Sequence, residues 1–321
     1  MRAAIVDELG RTPRLGQRPD PVERAGHTLV RVTAAALNPV DLHIASGTHP
    51  AGAPAGPFVP GVEGVGTVVA GGTLPAGTRV RVAVPGGLVD GTLAEYVLAP
   101  DQTCVPLPDG LDDDLAAAVG VVGVSALLAL RDEAALRPGE SVLVLGATGG
   151  LGQALVATAR ALGAGRVVAA GRNADRLKAL GATADATLTL PSAPDAPPTT
   201  AEELAAIGGP VDVVADLLWG PHAALAATAL RPGGRWVNLG QTAGGHARLD
   251  AAVLRHLRLR LSGFSAAALP PARVVAAYQE VATLAADGTL PLSVTPYPLD
   301  GVADAWTAQA ASPGTKLVLR P

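Results

Sequence analysis

The chain has 321 residues, 49% hydrophobic and only 16% charged, with 24 basic against 28 acidic side chains. That length exceeds the roughly 250–300 residues at which a single core stops growing, and the composition fits an α/β protein with buried parallel strands. A net charge of −4 argues against a nucleic-acid or acidic-membrane surface, and the single cysteine, Cys104, excludes an intramolecular disulfide and a cysteine-based zinc site. No basic segment precedes an apolar run near residue 1, and no apolar stretch reaches about 18 residues free of Gly or charge. A soluble cytoplasmic protein is predicted.

Residues 1–110 read as β-rich. Short β-branched runs at Ala3–Val6, Thr28–Ala34, Gly64–Val69, Arg79–Val84 and Ala94–Val97 alternate with turns such as Arg18-Pro-Asp-Pro21 and Pro85-Gly-Gly87, a spacing that predicts a partly open barrel. The stretch His49–Pro60 lacks periodicity and reads as a loop over a cleft. Asp112-Asp-Asp114 supplies acids for a helix start, and Ala116–Leu136 reads as helical despite Gly120 and Gly123.

From Ser141 the pattern alternates strands and helices. Strands are predicted at Val142–Leu145, Arg166–Ala170, Ala186–Leu190, Val211–Leu217, Arg235–Leu239 and Arg258–Phe264. Helices fall at Gln153–Leu162, Ala174–Leu180, Ala201–Ile207, Pro221–Leu230 and Ala251–Leu257, with Pro191–Pro198 a surface connection. Six such strands make a doubly wound parallel (Rossmann) sheet. A helix at Pro271–Ala286, a proline-punctuated run Leu290–Pro298, a helix Asp300–Ala311 and a strand Lys316–Leu319 are too little to fold alone. The predicted domains are therefore 1–117 completed by 266–321, and 118–265.

The strongest motif is Ser141-Val-Leu-Val-Leu-Gly-Ala-Thr-Gly-Gly-Leu-Gly152, an apolar strand running into a glycine-rich turn and then a helix. Glycines there permit a tight turn and let a pyrophosphate approach the amides of a helix N-terminus, so Thr148, Gly149, Gly150, Leu151 and Gly152 are candidate dinucleotide contacts. An acid about 20 residues further would bind the ribose 2′-hydroxyl of NAD. Here Gly171 takes that place and Arg172 follows, with Asn173 and Arg176 as further donors. A guanidinium suits a 2′-phosphate that a carboxylate would repel, which favours NADPH; the other reading is a solvated turn. Leu239, Gly240 and Phe264 follow later strands at the carboxyl edge, where they are candidate nicotinamide walls or ordinary strand-end packing.

Ala36-Leu-Asn-Pro-Val-Asp41, Pro60-Gly-Val-Glu-Gly-Val-Gly66, Gly91-Thr-Leu-Ala-Glu-Tyr96, Gly123-Val-Ser-Ala126, the glycine turn, Leu230-Arg-Pro-Gly-Gly-Arg235 and Gly314-Thr-Lys-Leu-Val-Leu319 occur in the order and spacing of a known family. On these markers the chain resembles the medium-chain dehydrogenase/reductase superfamily, specifically its zinc-free quinone oxidoreductase branch. The resemblance implies a GroES-like barrel beside the Rossmann domain. It places Asn38 and Val62 where zinc-dependent members carry metal ligands, and neither is a useful zinc ligand. It also implies that Asn38 faces the nicotinamide end of the cleft and that Asp41 supports the same loop. His43 and His49 stand where bacterial quinone oxidoreductases often carry tyrosine. His43 would donate to the substrate oxygen or satisfy local backbone; for His49 a local role is favoured. Ser125 and Lys316 match positions near the cofactor, with a hydroxyl bonded back to its own helix and a solvated lysine as the other readings, while Glu63 reads as structural, bonded to the turn around it. His222, His246 and His256 read as surface residues.

Without a metal, hydride acceptors that spread charge over a phenolate or enolate are favoured over simple ketones. The sequence thus predicts an NADPH-dependent quinone or enone reductase. The alternatives are an enoyl-thioester reductase of a biosynthetic pathway and, outside enzymes, a crystallin-like NADPH-binding protein without turnover. A homodimer through the edge strand Arg258–Phe264 is expected.

Overall fold

The computed structural model describes residues 1–50, 52, 54–84, 90–191 and 201–321. The turn expected at Pro85-Gly-Gly87 and most of the proline-rich connection, 192–198, lie outside these described residues. The chain begins with β1 (Arg2–Ile5), β2 (Arg14–Gln17), β3 (His27–Leu37), α1 (Pro39–Ala45), β4 (Glu63–Gly71), β5 (Arg79–Ala83), β6 (Tyr96–Pro100), β7 (Val105–Pro106) and α2 (Asp113–Leu128). It continues with β8 (Ser141–Leu145), α3 (Gly150–Ala161), β9 (Arg166–Gly171), α4 (Ala174–Ala179), β10 (Ala186–Thr189), α5 (Ala201–Ala206), β11 (Val211–Asp216), α6 (Ala223–Ala229), β12 (Leu230–Asn238), α7 (Ala251–Leu257) and β13 (Arg260–Gly263). The last elements are α8 (Pro271–Ala286), β14 (Val294–Pro298), α9 (Val302–Ala310) and β15 (Lys316–Arg320). They assort into two compact units. One comprises Met1–Val121, Pro270–Gly288 and Leu292–Pro321; the other comprises Val122–Leu269 and Thr289–Pro291.

Among the described residues, the first unit is built on a mixed sheet in the order β14-β15-β3-β4-β5-β7, with β6 also paired to β3. The long strand β3 serves three neighbours: its first residues pair with β6, its last with β15, and its other edge with β4. Alternation along these strands sends Val30, Val32, Val80, Val82, Val97, Leu317 and Leu319 into one core with Ala3–Val6 and Phe58. The expected strands are present with ends moved by one to three residues. The structure adds β2, β7 and α1, none of which the sequence reading places.

The helix expected at Ala116–Leu136 starts earlier and ends sooner. Asp112 accepts the N–H groups of Asp114 (3.0 Å) and Leu115 (3.1 Å), which fixes the start of α2. At Ala129–Glu133 the helix widens into a π-type turn, and Ala135 adopts φ 46°. Asp113–Glu133 has the length and hydropathy of a membrane span, but 78% of that window is buried inside the protein.

The second unit is a parallel sheet in the order β10-β9-β8-β11-β12-β13. This is the doubly wound arrangement, and its strand order reverses between β8 and β11, where open α/β sheets bind ligands beyond the carboxyl ends. The centre is apolar throughout: every residue of β8 is buried, and Leu143, Leu145, Val168, Val214 and Trp236 share a core with α6. Burial of each such side chain contributes about 1.5–3 kcal/mol. β12 begins at Leu230, five residues before the expected Arg235, because the Pro232–Gly234 segment forms an irregular register rather than ending the strand.

Candidate active site

The glycine turn is fixed by its backbone. Gly146 adopts φ +87°, and the N–H groups of Gly146 and Ala147 both donate to Ala170 O at 2.9 Å, tying the end of β8 to β9. Gly149 then caps α3 in an extended conformation, so the helix opens with Gly150, Leu151 and Gly152, three residues before the predicted start. A Cβ at Gly152 would lie 2.6 Å from Ala147 Cα, so only glycine lets the helix approach the turn this closely. The N–H groups of a first helical turn have no intrahelical acceptor and carry the positive end of the helix dipole. A phosphate-sized anion therefore fits this cradle.

β9 ends beside the same turn. A Cβ on Gly171 would stand 3.3 Å from Thr148 Cγ2, and Arg172, Asn173 and Arg176 beyond it are exposed. Asn173 caps α4, its Oδ1 accepting the Arg176 N–H at 2.9 Å. The Asn173 carbonyl oxygen thus serves the helix start, and its amide hydrogens are the group that matches the expected donor role. On the other side, Leu217 Cβ and Leu218 Cδ2 stand 3.2 Å from where a Gly146 Cβ would be, so the loop after β11 packs on the turn. Leu239 N–H donates to Asp216 O (2.8 Å), Asn238 Nδ2 to Gly240 O (2.8 Å) and Phe264 N–H to Asn238 O (2.9 Å). These bonds hold Leu239, Gly240 and Phe264 together at the carboxyl edge. Ser125, on α2 in the same unit, is 9% exposed.

Sequence reasoning missed Asp216, the organiser of that edge. It is fully buried, and burial raises its carboxyl above the usual range. Oδ1 accepts from Leu218 N–H (2.8 Å) and Trp219 N–H (2.9 Å), and Oδ2 from Trp236 Nε1 (3.1 Å). An acid at the last position of an apolar strand was the available signal.

In the first unit two of the three candidate catalytic residues, Asn38 and Asp41, belong to a buried polar network. Asn38 caps α1 and is 1% exposed; its Nδ2 donates to Glu63 Oε1 (3.1 Å) and Ala36 O (3.3 Å), and its Oδ1 accepts from the Lys316 ammonium. Lys316 also donates to Leu37 O (3.2 Å). Asp41 accepts the Asn38 N–H (2.7 Å) and the Val62 N–H (2.9 Å). Glu63 takes in addition Arg81 (3.2 Å) and the Val121 N–H (2.7 Å), and Arg81 lies over the Tyr278 ring at 5.0 Å. Burial pushes Asp41 up to about 7, opposed by the Asn38 N–H and the Lys316 charge, and pushes Lys316 down. Two carboxylates thus face two cations in a pocket that strips them of water.

This network engages the polar groups of residues expected at the site. Both amide hydrogens and the carbonyl of Asn38 are engaged inside the protein, and Asp41 is equally inaccessible. Lys316, read as a cofactor contact or a solvated lysine, is not solvated: it is 3% exposed with its ammonium on Asn38. Of the three candidate catalytic side chains, His43 alone is exposed, on the last turn of α1, and its backbone carbonyl accepts from the Ser46 and Thr48 hydroxyls. Glu63, read as bonded to a local turn, instead joins four segments. Arg81 and Tyr278 gave no local signal. Among the described residues, no group of three or more His, Cys, Asp or Glu is placed to hold a metal ion.

Comparison with known proteins agrees with this geometry. Residues 24–109 match the Alcohol dehydrogenase GroES-like domain and residues 150–285 match the family described as Zinc-binding dehydrogenase. A quinone oxidoreductase from Thermus thermophilus, solved alone and with NADPH, is 32% identical, with a TM-score of 0.76 over 100% of both chains. The chain belongs to the medium-chain dehydrogenase/reductase superfamily, in its quinone oxidoreductase branch.

Other relatives in this superfamily match less of their own length. The human quinone oxidoreductase is 39% identical over 168 residues, 51% of this chain and 50% of that protein, so the chain spans about half the length of such curated relatives in the match. The pikromycin polyketide synthase component PikAII of Streptomyces venezuelae is 33% identical over 92% of this chain but only 8% of that protein.

Proposed function

We propose that this medium-chain dehydrogenase/reductase is an NADPH-dependent oxidoreductase acting on a quinone or an α,β-unsaturated carbonyl compound, without zinc. The observation that carries the reading is the pairing of the glycine cradle with an acid-free end of β9, where Gly171 and exposed Arg172 replace the carboxylate that would select NAD. The Thermus relative solved with NADPH supports it. The unit Val122–Leu269 would hold the cofactor, with the first-turn N–H groups on its pyrophosphate and Arg172 on its 2′-phosphate.

A bound nicotinamide supplies the hydride; the chain's own task is to orient the acceptor and manage the charge that develops on it. A conjugated acceptor delocalises that charge onto an enolate or phenolate oxygen, so one or two donors suffice where a ketone would need stronger help. His43 is the exposed donor for that oxygen. Asn38, Asp41, Glu63 and Lys316 act as positioning residues: their mutual bonds clamp the N-terminus of α1, the helix that carries His43. The zinc-free reading rests on the donor set, since Asn38 and Val62 offer no thiolate or imidazole and the two carboxylates are already matched by Arg81 and Lys316. The strand β13 ends its sheet with Leu261 exposed, and pairing of that edge with a second copy would give the homodimer.

The similarity to PikAII over most of the chain favours a second reading, an enoyl-thioester reductase. A panel of para-quinones, cyclohexenone and crotonyl thioesters, followed by NADPH consumption, tests the choice. Turnover of quinones and cyclohexenone above the thioesters is expected. Preference for the thioesters would install the second reading, and NADPH binding without turnover of any acceptor would leave a non-enzymatic binder.

A further inference from the structure

His222, read from sequence as a surface residue, sits at the end of a turn that the protein holds in an unfavourable shape. Trp219 adopts φ 53° and Gly220 φ 57°, and a Cβ on Gly220 would stand 2.7 Å from Ala243 O. A tryptophan in the left-handed region persists only where its surroundings over-determine it, and such strain gathers at functional sites. Here Asp216 receives the Leu218 and Trp219 N–H groups, Trp219 packs on Trp236 with centroids 5.3 Å apart, and Ala243 N–H donates to Leu218 O at 2.9 Å. The turn is therefore anchored from three sides and presents His222, half-buried, at the carboxyl edge of the sheet.

Two neighbours define its surroundings. The same loop packs on the glycine turn through Leu217 and Leu218. Arg172, from the end of β9 across that turn, lies within electrostatic range of His222. The charged groups facing the imidazole are Asp216 and Arg172, and both oxygens of Asp216 are committed to Leu218, Trp219 and Trp236. An imidazole and a guanidinium thus lie beside the phosphate cradle, with both oxygens of Asp216 engaged by N–H donors. Burial holds the imidazole below its ordinary protonation range; Asp216 pulls the other way, and Arg172 adds a smaller push in the same direction as burial. An anion bound between the two side chains would offset the desolvation and repulsion that protonation of the imidazole otherwise meets.

We propose that His222 is a second cationic contact, with Arg172, for the 2′-phosphate on the adenosine ribose of a phosphorylated nicotinamide dinucleotide. The inference rests on the NADPH reading and adds a residue that sets cofactor choice. Its consequence is proton-linked binding: the free imidazole is neutral near pH 7, and contact with a phosphate favours its protonated form. Affinity for NADPH then rises as pH falls. The ligand alone would do the opposite, because a phosphate monoester loses negative charge below about pH 6.

Calorimetric titration with NADPH, NADH and 2′,5′-ADP at about pH 6.5 and about pH 8, on wild type, His222→Gln and Arg172→Ala, tests this without turnover. Wild type should bind NADPH and 2′,5′-ADP more tightly at the lower pH. His222→Gln should abolish that dependence and weaken both ligands about tenfold at the lower pH, the loss of one charge-assisted hydrogen bond, while NADH binding stays unchanged and reports an intact site. If His222→Gln binds NADPH like wild type at both pH values while Arg172→Ala is weakened, the inference fails and the NADPH reading survives. If neither substitution separates NADPH from NADH, the reading beneath it fails as well.

Discussion

Gly120→Ala is the sharpest test of the buried network. In a helix interior this exchange ordinarily stabilises by about 1 kcal/mol, because alanine restricts the unfolded chain and favours helix. Here the added Cβ would lie 2.8 Å from Glu63 Cδ and closer still to Oε2, the atom that accepts the Val121 N–H. The carboxylate must retreat, yet it is 1% exposed and held by Asn38 and Arg81. Overpacking costs about 1–3 kcal/mol, and weakening a charged hydrogen bond costs roughly 1.5–3 kcal/mol. Against the propensity gain, the net is a destabilisation of about 2–4 kcal/mol. Urea denaturation followed by tryptophan fluorescence measures it, and Glu63→Ala supplies the control. With the carboxylate removed, Gly120→Ala should cost nothing or stabilise, giving a coupling of at least about 2 kcal/mol in the double-mutant cycle. Stabilisation by Gly120→Ala alone, or no coupling, would refute the reasoning.

Arg172→Ala should weaken NADPH by about 1.5–3 kcal/mol and leave NADH nearly unchanged, as read from dissociation constants; equal loss for both would remove Arg172 from the 2′-phosphate. Asp41 titrates in the folded protein at about 7, above its unfolded value near 3.9, so the folded state keeps a proton that the unfolded state releases between those limits. Its contribution is complete below the unfolded value and is lost as pH rises through about 7, a decline of up to roughly 4 kcal/mol that Asp41→Asn should flatten in a series of denaturation curves. Lys316→Met leaves Glu63 and Asp41 short of a buried cation and should destabilise by roughly 3–5 kcal/mol, visible as a lower denaturation midpoint. Elution of the native protein at the mass of one 31.9 kDa chain in sizing chromatography would contradict pairing through β13.

The Rossmann sheet was legible because each strand is an apolar run and each crossover a helical one, and the glycine turn because its backbone geometry demands glycine. Element ends were less so. Gly150 and Gly152 hid the first turn of α3, since glycine is a poor helix former and its reason here is close approach to the turn. α1 went unread although Asn38-Pro-Val-Asp41 has a cap, a proline at the first helical position and an acid two residues later. Four residues, Arg14–Gln17, offer no periodicity, so β2 had no signal. The network was invisible for a different reason: Arg81, Tyr278 and Lys316 are brought to Asn38 and Glu63 by tertiary packing, over separations that no local pattern encodes. In the proposed mechanism, Asn38 and Lys316 are supports rather than substrate and cofactor contacts. Local sequence does not show which way the polar atoms of these residues face.

The central claim, hydride delivery to a conjugated acceptor with no transition metal, is tested most directly by quinone turnover in protein shown by elemental analysis to be metal-free after chelation. The account predicts undiminished consumption of NADPH with hydroquinone formed in equal amount. Activity lost on chelation and restored by zinc would contradict it.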